Sequence, residues 1–283
     1  MLEVRNLTKK YDNFTLDNVG FSVPDGMIVG FIGQNGAGKT TTLKCIMRTV
    51  LPDDGTVVVD GRDMSEYESY NKQVISFTTG AFEYYRNERL AKIAKVYAGF
   101  YDNWDETQFE NYCKRFHLVL TKKVRELSAG MKVKFALALA MSHNAKLFIF
   151  DEPTSGLDPI ARDELLDVFR DIVDEGDKSI LFSTHITSDL DKCADIILFI
   201  ADGRILLEEG KDQLLEEHAL IKGGADELTD ELKHRVIAYK AHQFGFTALI
   251  RRADLRPTDN FAEEKPTLDD IMVYYNKKER VQC

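Results

Sequence analysis

The segment of residues 33–40 constrains the fold of this chain more than any other part of the sequence. It reads GQNGAGKT and matches the phosphate-loop pattern G-x-x-x-x-G-K-[ST] at every fixed position. An apolar, strand-like run at residues 27–32 precedes it, and a plausible helix at residues 41–47 follows it. Because strand, glycine-rich loop and helix come in the order that phosphate binding requires, we interpret the match as functional and not as a chance glycine turn. A nucleotide triphosphate is the expected ligand.

The chemistry of this loop predicts a role for individual residues. Glycines let the backbone wrap closely around the phosphates, while the exposed N–H groups and the positive end of the following helix bind the anion. Lys39 is expected to neutralise the β- and γ-phosphate oxygens, and the Thr40 hydroxyl is expected to bind Mg²⁺. The candidate nucleotide-binding residues of the loop are Gly33, Asn35, Gly36, Ala37, Gly38, Lys39, Thr40 and Thr41.

Composition narrows the class of protein further. Apolar residues make up 44% of 283, enough for a sizeable core, and a formal charge of −10 argues against broad electrostatic binding to nucleic acid or anionic lipid. No run approaches the roughly 18 apolar residues of a membrane span, and the first residues lack the apolar core of a signal peptide. The four cysteines have no metal-ligand spacing and are expected to be reduced thiols in a cytosolic protein. Any membrane role is therefore expected to come through a partner.

The sequence on either side of the phosphate loop predicts further secondary structure. Strand-like stretches at residues 2–7 and 14–23 predict an antiparallel β layer ahead of the phosphate loop, and residues 52–61 after the loop helix predict a separate hairpin. Tyr11 lies between the first two stretches and is equally compatible with stacking on a purine base and with an ordinary surface position. Residues 84–118 carry apolar side chains at helical spacing and predict an inserted helical subdomain. Its aromatic residues are more commonly core than a partner-binding groove, and both interpretations stay open.

Three further segments carry polar residues at positions suited to ligands. Ser128 begins a strongly apolar helix, where it can cap the helix, form part of an anion-binding nest, or both. An apolar strand at 147–150 ends in Asp151 and Glu152. Asp151 suits Mg²⁺ binding through water and Glu152 suits orienting or deprotonating a water, although two acids can also cap a loop. Another apolar strand ends at His185, which is equally compatible with ligand binding and packing.

Taken together and in this order, these motifs and residues 155–158 resemble those of the ATP-binding subunits of ABC transporters over about residues 1–215. The resemblance implies an α/β fold with a P-loop ABC ATPase core. The sequence patterns add the antiparallel β layer, the helical subdomain at about 84–142 and a small C-terminal α/β appendage at 216–283. The resemblance also implies a head-to-tail dimer that holds each ATP between one phosphate loop and the other subunit's signature motif, which is residues 127–131 in this chain. The residues carried over on that basis are Tyr11 for adenine stacking, Ser128 and Gly130 for the γ-phosphate across the dimer, Asp158 for the dimer-facing loop, Glu152 as catalytic base and His185 as γ-phosphate switch.

The function implied by this resemblance is ATP hydrolysis that powers export. We expect ATP and Mg²⁺ as cofactors, a transmembrane permease subunit as partner, a homodimer or a heterodimer with a related subunit, no nucleic acid, and a position on the cytoplasmic face of the membrane. The alternative is a soluble ABC-type ATPase of the iron–sulfur assembly type, which would bind a soluble partner instead. A non-hydrolysing sensor is a third reading, which the presence of Glu152 and His185 disfavours.

Some positions depart from the family pattern. Ala129 and Met131 stand where glycine and glutamine are usual, which resembles the subgroup that serves ABC-2 type exporters, as do Tyr101 and residues 103–105. The glutamine that usually follows the strand at residues 74–78 is replaced by Gly80, since Gln73 lies at the other end of that strand. We therefore expect water or Glu83 to fill the metal position that the glutamine normally takes.

The C-terminal residues lie outside the resemblance. We expect helices at about 211–217 and 226–234, a β-hairpin at 236–250 around Gly245, and a final helix in which Thr267 and Asp270 approximate a capping box. Regulation, dimer support and plain stabilisation are equally compatible with such an appendage.

Overall fold

The computed structural model describes residues 1–79, 85–174 and 176–282. The chain forms two compact units, Met1–Ile205 and Leu206–Cys283. In chain order, the elements up to the point of division are β1 (Leu2–Tyr11), β2 (Phe14–Val23), β3 (Ile28–Ile32), α1 (Lys39–Ile46), β4 (Asp54–Val59), β5 (Arg62–Asp63), α2 (Glu68–Val74), β6 (Ile75–Thr79), α3 (Leu90–Ala98), α4 (Glu106–Arg115), α5 (Ala129–Ser142), β7 (Leu147–Asp151), α6 (Pro159–Asp174), β8 (Ser179–Thr184), α7 (Thr187–Cys193), β9 (Ile196–Ala201) and β10 (Arg204–Gly210). The remaining elements are α8 (Lys211–Glu217), β11 (His218–Gly223), α9 (Asp230–Arg235), β12 (Ala238–His242), β13 (Gly245–Arg251), β14 (Ala262–Glu264) and α10 (Leu268–Gln282).

An antiparallel sheet in the order β2-β1-β4-β5 forms one layer of the first unit. The sequence predicts the pair β1–β2 and the hairpin β4–β5, whereas the pairing of β4 with β1 is seen only in the structure. Its strands bury alternate side chains, because successive residues of a strand point to opposite faces. Tyr11 and Phe14 are direct partners at the end of the β1–β2 ladder, on either side of the two-residue turn 12–13. Cross-strand partners share a face of the sheet, so these two rings lie on the same side of the hairpin.

A six-stranded sheet in the order β10-β9-β3-β8-β7-β6 forms the second layer. The pairs β9–β3, β3–β8, β8–β7 and β7–β6 are parallel. Every residue of β3, β7 and β8 is buried, as expected for parallel strands covered on both faces. Since the carboxyl ends of parallel strands meet at one edge, the segments after β3, β7 and β8 come together there. The first of these segments is the phosphate loop, and α1 begins within it at Lys39, two residues earlier than the sequence analysis expected.

The inserted helical region consists of α3, α4 and α5. Its aromatic and apolar residues divide between an interior and a surface. Phe109 on α4 and Phe135 on α5 are fully buried and meet edge to face at 6.5 Å. Val96 and Phe100, by contrast, are 55% and 71% exposed. The predicted stripe is therefore partly core and partly an open surface.

The second unit contains an antiparallel sheet in the order β12-β13-β11-β14. The predicted hairpin around Gly245 is present as β12 and β13, and the capping box of the last helix is confirmed by reciprocal bonds between Thr267 and Asp270. The expected helix at 226–234 is wrong in its bounds, because α9 begins only after Thr229, whose hydroxyl accepts from the Leu232 N–H. The sequence-based domain boundary at 215/216 falls inside α8, and the assignment of an ATPase domain and an accessory region stays a prediction. None of the helices in the described residues is long and apolar enough to span a membrane.

Candidate functional site

The phosphate loop forms an open backbone cradle between β3 and α1. Gly36 and Gly38 have φ angles of 86° and 114°, which a side chain would strain. A Cβ at Gly33 would lie 2.5 Å from the Ile200 carbonyl oxygen, whereas a Cβ at Gly36 would meet nothing within 4 Å and would project into open space. The N–H of Ala37 donates to the Gln34 carbonyl at 3.1 Å, closing the turn. The loop thus fits a phosphate group at Gly36, where there is room beside the backbone.

Lys39 directs its ammonium group into the loop. The residue is 6% exposed, and its Nζ donates to the Gly33 carbonyl oxygen at 2.7 Å and to that of Gln34 at 3.4 Å. Nζ also lies 3.3 Å from Oε1 of Glu152. A buried ammonium needs such acceptors, and phosphate oxygens are acceptors of the same kind with more negative charge.

Asp151 at the end of β7 joins the loop to the neighbouring strand. Its carboxylate is nearly buried and accepts from the Thr40 hydroxyl at 2.8 Å through Oδ2 and from the Ser183 hydroxyl at 2.6 Å through Oδ1. The carboxylate thus lies between two hydroxyl groups, and oxygen atoms of the kind that Thr40 and Asp151 present are the ligands that Mg²⁺ prefers. Ser183 was missed by sequence analysis. The signal for it was its position on β8 beside Asp151, which only the strand order reveals.

Glu152 and His185 form a pair next to Lys39. Glu152 has a φ of 53°, in the left-handed region. This conformation is energetically unfavourable for any residue with a Cβ, and it turns the chain sharply away from the strand. Its N–H donates to the Ser183 hydroxyl at 2.9 Å, which holds the turn. Its Oε2 lies 2.8 Å from Nδ1 of His185, and the side chains of Glu152 and His185 are 24% and 45% exposed. Water can therefore reach the carboxylate.

A pocket of about 200 Å³ opens beside the loop. Its lining residues are Phe14, Gln34, Asn35, Gly36, Gly38, Lys39, Thr40, Thr41 and Glu152. Phe14 was not anticipated from the sequence, although it is the cross-strand partner of the predicted Tyr11. Tyr11 is 47% exposed and is not among the lining residues, and its role in adenine stacking stays a prediction.

The other expected phosphate contacts lie elsewhere in the single chain. Ser128 caps α5 by accepting from the Met131 N–H at 3.3 Å, so the capping interpretation is confirmed. Gly130 packs closely on α6, where an added Cβ would lie 3.3 Å from that of Ala161. Asp158 accepts from the N–H groups of residues 160 and 161 at 3.0 Å each and caps the start of α6. None of the three lines the pocket at the phosphate loop.

The expectation about the missing glutamine falls partly outside the described residues, which exclude Gly80 and Glu83. Gln73 is described, at the end of α2 and before β6. Its Nε2 donates to the Phe100 carbonyl at 2.8 Å, and its Oε1 accepts from the Asp102 N–H at 3.0 Å. The side chain therefore anchors the segment between α3 and α4, at the opposite end of β6 from Thr79.

That segment borders an apolar groove, which we call the α3 groove. The groove measures about 500 Å³ and is lined by Tyr85, Glu88, Lys92, Ile93, Val96, Tyr97 and Phe100. Lys92 and Glu88 pair at 2.9 Å. Burial raises the pKa of Tyr97, one of the lining residues, well above its usual range. Burial also lowers the pKa of its neighbour His143 to about 4. Tyr101 stacks on His143 with ring centroids 3.7 Å apart.

Comparison with known proteins adds sequence and fold similarity. A family model described as ABC transporter matches residues 16–155, and one described as AAA domain, putative AbiEii toxin, Type IV TA system matches residues 121–190. The chain is 30% identical over 270 residues to the ABC transporter ATP-binding protein YtrB of Bacillus subtilis (strain 168), covering 94% of this chain and 92% of YtrB. It is 33% identical over 221 residues to the bacitracin transport ATP-binding protein BcrA of Enterococcus faecalis, covering 76% and 70%. A solved ATP binding subunit of an ABC transporter matches with a TM-score of 0.69 and 28% identity over 76% of this chain and 92% of that one.

Proposed function

The chain belongs to the ATP-binding subunits of ABC transporters, which are ATPases, and from this premise we propose that it powers export across the cytoplasmic membrane through a separate transmembrane subunit. The observation that carries the proposal is the convergence of Lys39, Asp151, Glu152 and His185 at the carboxyl edge of one parallel sheet. Export is supported by the similarity to a bacitracin transport protein and by the exporter-like signature motif.

In the proposed reaction, a water oxygen attacks the γ-phosphorus and ADP leaves. Glu152 accepts the proton of that water, for which its partly exposed carboxylate is suited. Lys39 and the loop N–H groups stabilise the charge on the phosphate oxygens. His185 holds Glu152 through Nδ1 and contacts the γ-phosphate. Mg²⁺, when bound, would supply positive charge that stabilises the phosphate oxygens. Thr40 and Asp151 would hold it, with Ser183 orienting the carboxylate.

We further propose that two subunits assemble head to tail when ATP binds. Ser128, Gly130 and Asp158 do not line the pocket of their own chain, which supports a role for them at the site of a second subunit. Ser128 is exposed and lies at the N-terminus of α5, where N–H groups and the helix dipole favour an anion. Asp158 is exposed at the start of α6, where it is accessible to a second subunit. In this arrangement Tyr11 stacks on the adenine ring of its own subunit's nucleotide.

The α3 groove is the proposed docking site of the transmembrane subunit. Phe100, Val96 and Tyr85 are 71%, 55% and 69% exposed, an apolar surface of the kind that marks interaction sites. A subunit that docks there is held at the inner face of the cell membrane without a membrane span of its own. The transported molecule would then contact the transmembrane subunit.

Co-purification tests this function. The tagged chain is expressed with its genomic neighbours, and a multi-span membrane protein is expected to co-purify with it. Phe100→Asp should reduce the recovered membrane protein by about tenfold or more, because it introduces a charge into an apolar contact. Phe244→Asp is the matched control, since Phe244 is an exposed phenylalanine, at 85%, outside the groove. Recovery of a soluble partner in place of the membrane protein would instead support the iron–sulfur assembly type of ATPase.

A further inference from the structure

Asp189 on α7 is a buried carboxylate that the proposed reaction does not use. Asp189 is 0% exposed. Its Oδ2 accepts from the Thr154 hydroxyl at 2.6 Å and from the Thr184 hydroxyl at 3.3 Å. Burying a carboxylate is unfavourable unless hydrogen bonds and charges compensate. The two hydroxyl groups and the carboxylate therefore depend on one another for their positions.

The two hydroxyl donors belong to different loops of the active site. Thr154 lies between Glu152 and Asp158, and its carbonyl oxygen accepts from the Leu157 N–H at 3.2 Å, which shapes the dimer-facing loop. Thr184 ends β8 immediately before His185. Its hydroxyl also accepts from the Ile186 N–H at 3.0 Å, so it fixes the backbone on both sides of the histidine. A single oxygen of Asp189 thus connects the histidine loop to the dimer-facing loop.

The other oxygen of Asp189 faces Arg162. Its Oδ1 lies 3.8 Å from Nε of Arg162, which is within ion-pair range but too far for a hydrogen bond. Within residues 1–79, 85–174 and 176–282, neither of these two buried atoms has a hydrogen-bond partner. Arg162 stands in the first turn of α6, and its N–H donates to the carbonyl oxygen of Asp158 at 3.0 Å. A shift of about 1 Å would turn the ion pair into a charge-assisted hydrogen bond.

We propose that Asp189 is a positioning residue that makes the His185 loop and the 154–158 loop move as one unit. When the nucleotide site closes, the gap to Arg162 closes and α6 shifts with Asp158. The inference rests on the proposed ATPase function. When His185 contacts the γ-phosphate, its movement is transmitted to the dimer-facing loop through Thr184, Asp189 and Thr154, whose side chains are in direct contact.

Valine substitutions of the two threonines test this link, because valine keeps the shape and removes the hydroxyl. Thr154→Val and Thr184→Val should each lower kcat by about five- to tenfold and leave the KM for ATP within about twofold. The double variant should be no slower than the slower single variant, because breaking either bond already disconnects the two loops. Effects that multiply in the double variant would mean two independent structural roles and would overturn the proposal.

The second test substitutes Asp189 by asparagine (Asp189→Asn). It keeps the volume of the side chain but removes its charge toward Arg162, so kcat should fall by about tenfold or more with unchanged ATP affinity. Arg162→Gln should have a similar effect, and the two should not add. Asp191→Asn, on the exposed side of α7, is the matched control. In a Glu152→Gln background, Asp189→Asn should also weaken ATP-dependent dimer formation per folded chain.

The outcomes are distinguishable. If Asp189→Asn has a normal kcat per chain that still binds ATP, its lower total activity reflects only a smaller folded fraction. The residue then merely stabilises the fold, and the inference is wrong. If the variant hydrolyses ATP as fast as the wild type, the inference is also wrong while the ATPase function stands. If the wild-type chain itself does not hydrolyse ATP with its transmembrane partner, the proposed function fails first.

Discussion

At the scale of single residues, the site is built from charges that already satisfy one another. Lys39 lies 3.3 Å from Glu152, and Glu152 lies 2.8 Å from His185. A bound triphosphate offers Lys39 stronger acceptors, so nucleotide binding is expected to draw the ammonium away from the carboxylate. Glu152 is then free to accept a proton from water. We therefore expect competition between phosphate and carboxylate for Lys39 to couple ATP binding to activation of the proposed base.

Glu152→Gln tests the role of the base. The amide keeps the shape but cannot accept a proton, so we expect turnover to fall by about 100-fold or more while ATP affinity is kept or improved. Gel filtration with ATP and Mg²⁺ should show a stable dimer of the variant. Glu110→Gln, an exposed residue of α4, is the control. A variant that binds ATP normally but stays monomeric would contradict the head-to-tail model.

Phe14 provides a second prediction at this scale, since it lines the pocket and the partly exposed Tyr11 lies directly opposite. If both rings contact the nucleotide, Phe14→Ala and Tyr11→Ala should each weaken ATP binding by about fivefold or more. Phe14→Leu should weaken it less, because it retains apolar contact. Titration with a fluorescent ATP analogue measures these affinities. Normal affinity in Tyr11→Ala together with a large loss in Phe14→Ala would move the adenine contact to Phe14.

At the scale of elements, α5 runs from the signature motif to the side chains that border the α3 groove. Ser128 caps its N-terminus, and His143 caps its C-terminus behind the α3 groove. His143 is 1% exposed, stacks on Tyr101, and lies 3.4 Å from the Tyr97 hydroxyl through Nε2. Tyr97 also lines the groove. A partner that presses on this groove therefore contacts a residue packed against the end of the helix that carries the signature motif.

The buried histidine makes stability depend on pH. Burial lowers the pKa of His143 to about 4, below the ordinary value of 6.5, so the unfolded chain binds more protons between these values. Stability should therefore fall as pH falls through 6.5 toward 4, by about 1 kcal/mol between pH 7.5 and 5.5. His143→Phe keeps the stack on Tyr101 and should remove this share of the loss. Urea unfolding at the two pH values measures it, and an identical pH dependence in both proteins would contradict the assignment.

At the scale of the whole molecule, the first unit carries the two proposed halves of a nucleotide site, and they do not line one pocket. The phosphate loop lines the pocket, whereas Ser128 and Gly130 lie outside it. A head-to-tail homodimer would bring each half to the other subunit's complementary half. Two complete sites then require two chains.

Mixing inactive variants tests this geometry. Lys39→Ala should abolish ATP binding at its own loop by removing a charge aimed at the phosphates, and Gly130→Asp should block the signature motif by repulsion. Each variant alone should be inactive. A mixture should regain activity, since a mixed dimer contains one site with an intact loop and an intact signature. Refolded or co-expressed mixtures can be assayed for ATPase rate. Absence of recovery, with both variants folded, would contradict a homodimer with shared sites.

The sequence by itself determined the chemistry of the site and the class of fold. Lys39, Thr40, Asp151, Glu152 and His185 were identified because each follows a strongly apolar strand or lies in a glycine-rich loop. These signals depend only on neighbours along the chain. Parallel strands bring such ends to one edge, and the structure places these side chains close together there, while their roles stay predictions.

Tertiary structure decided the remaining features, because they depend on contacts between residues far apart in the sequence. Strand order brought Ser183 to Asp151, and the hairpin register brought Phe14 to the pocket. Packing decided that Phe109 is core and Phe100 is surface, although both follow the same helical periodicity. The link from Asp189 to two loops likewise joins residues 35 positions apart. Local patterns record which side chains are apolar or polar, whereas the partner of each is set by the register and packing of the folded chain.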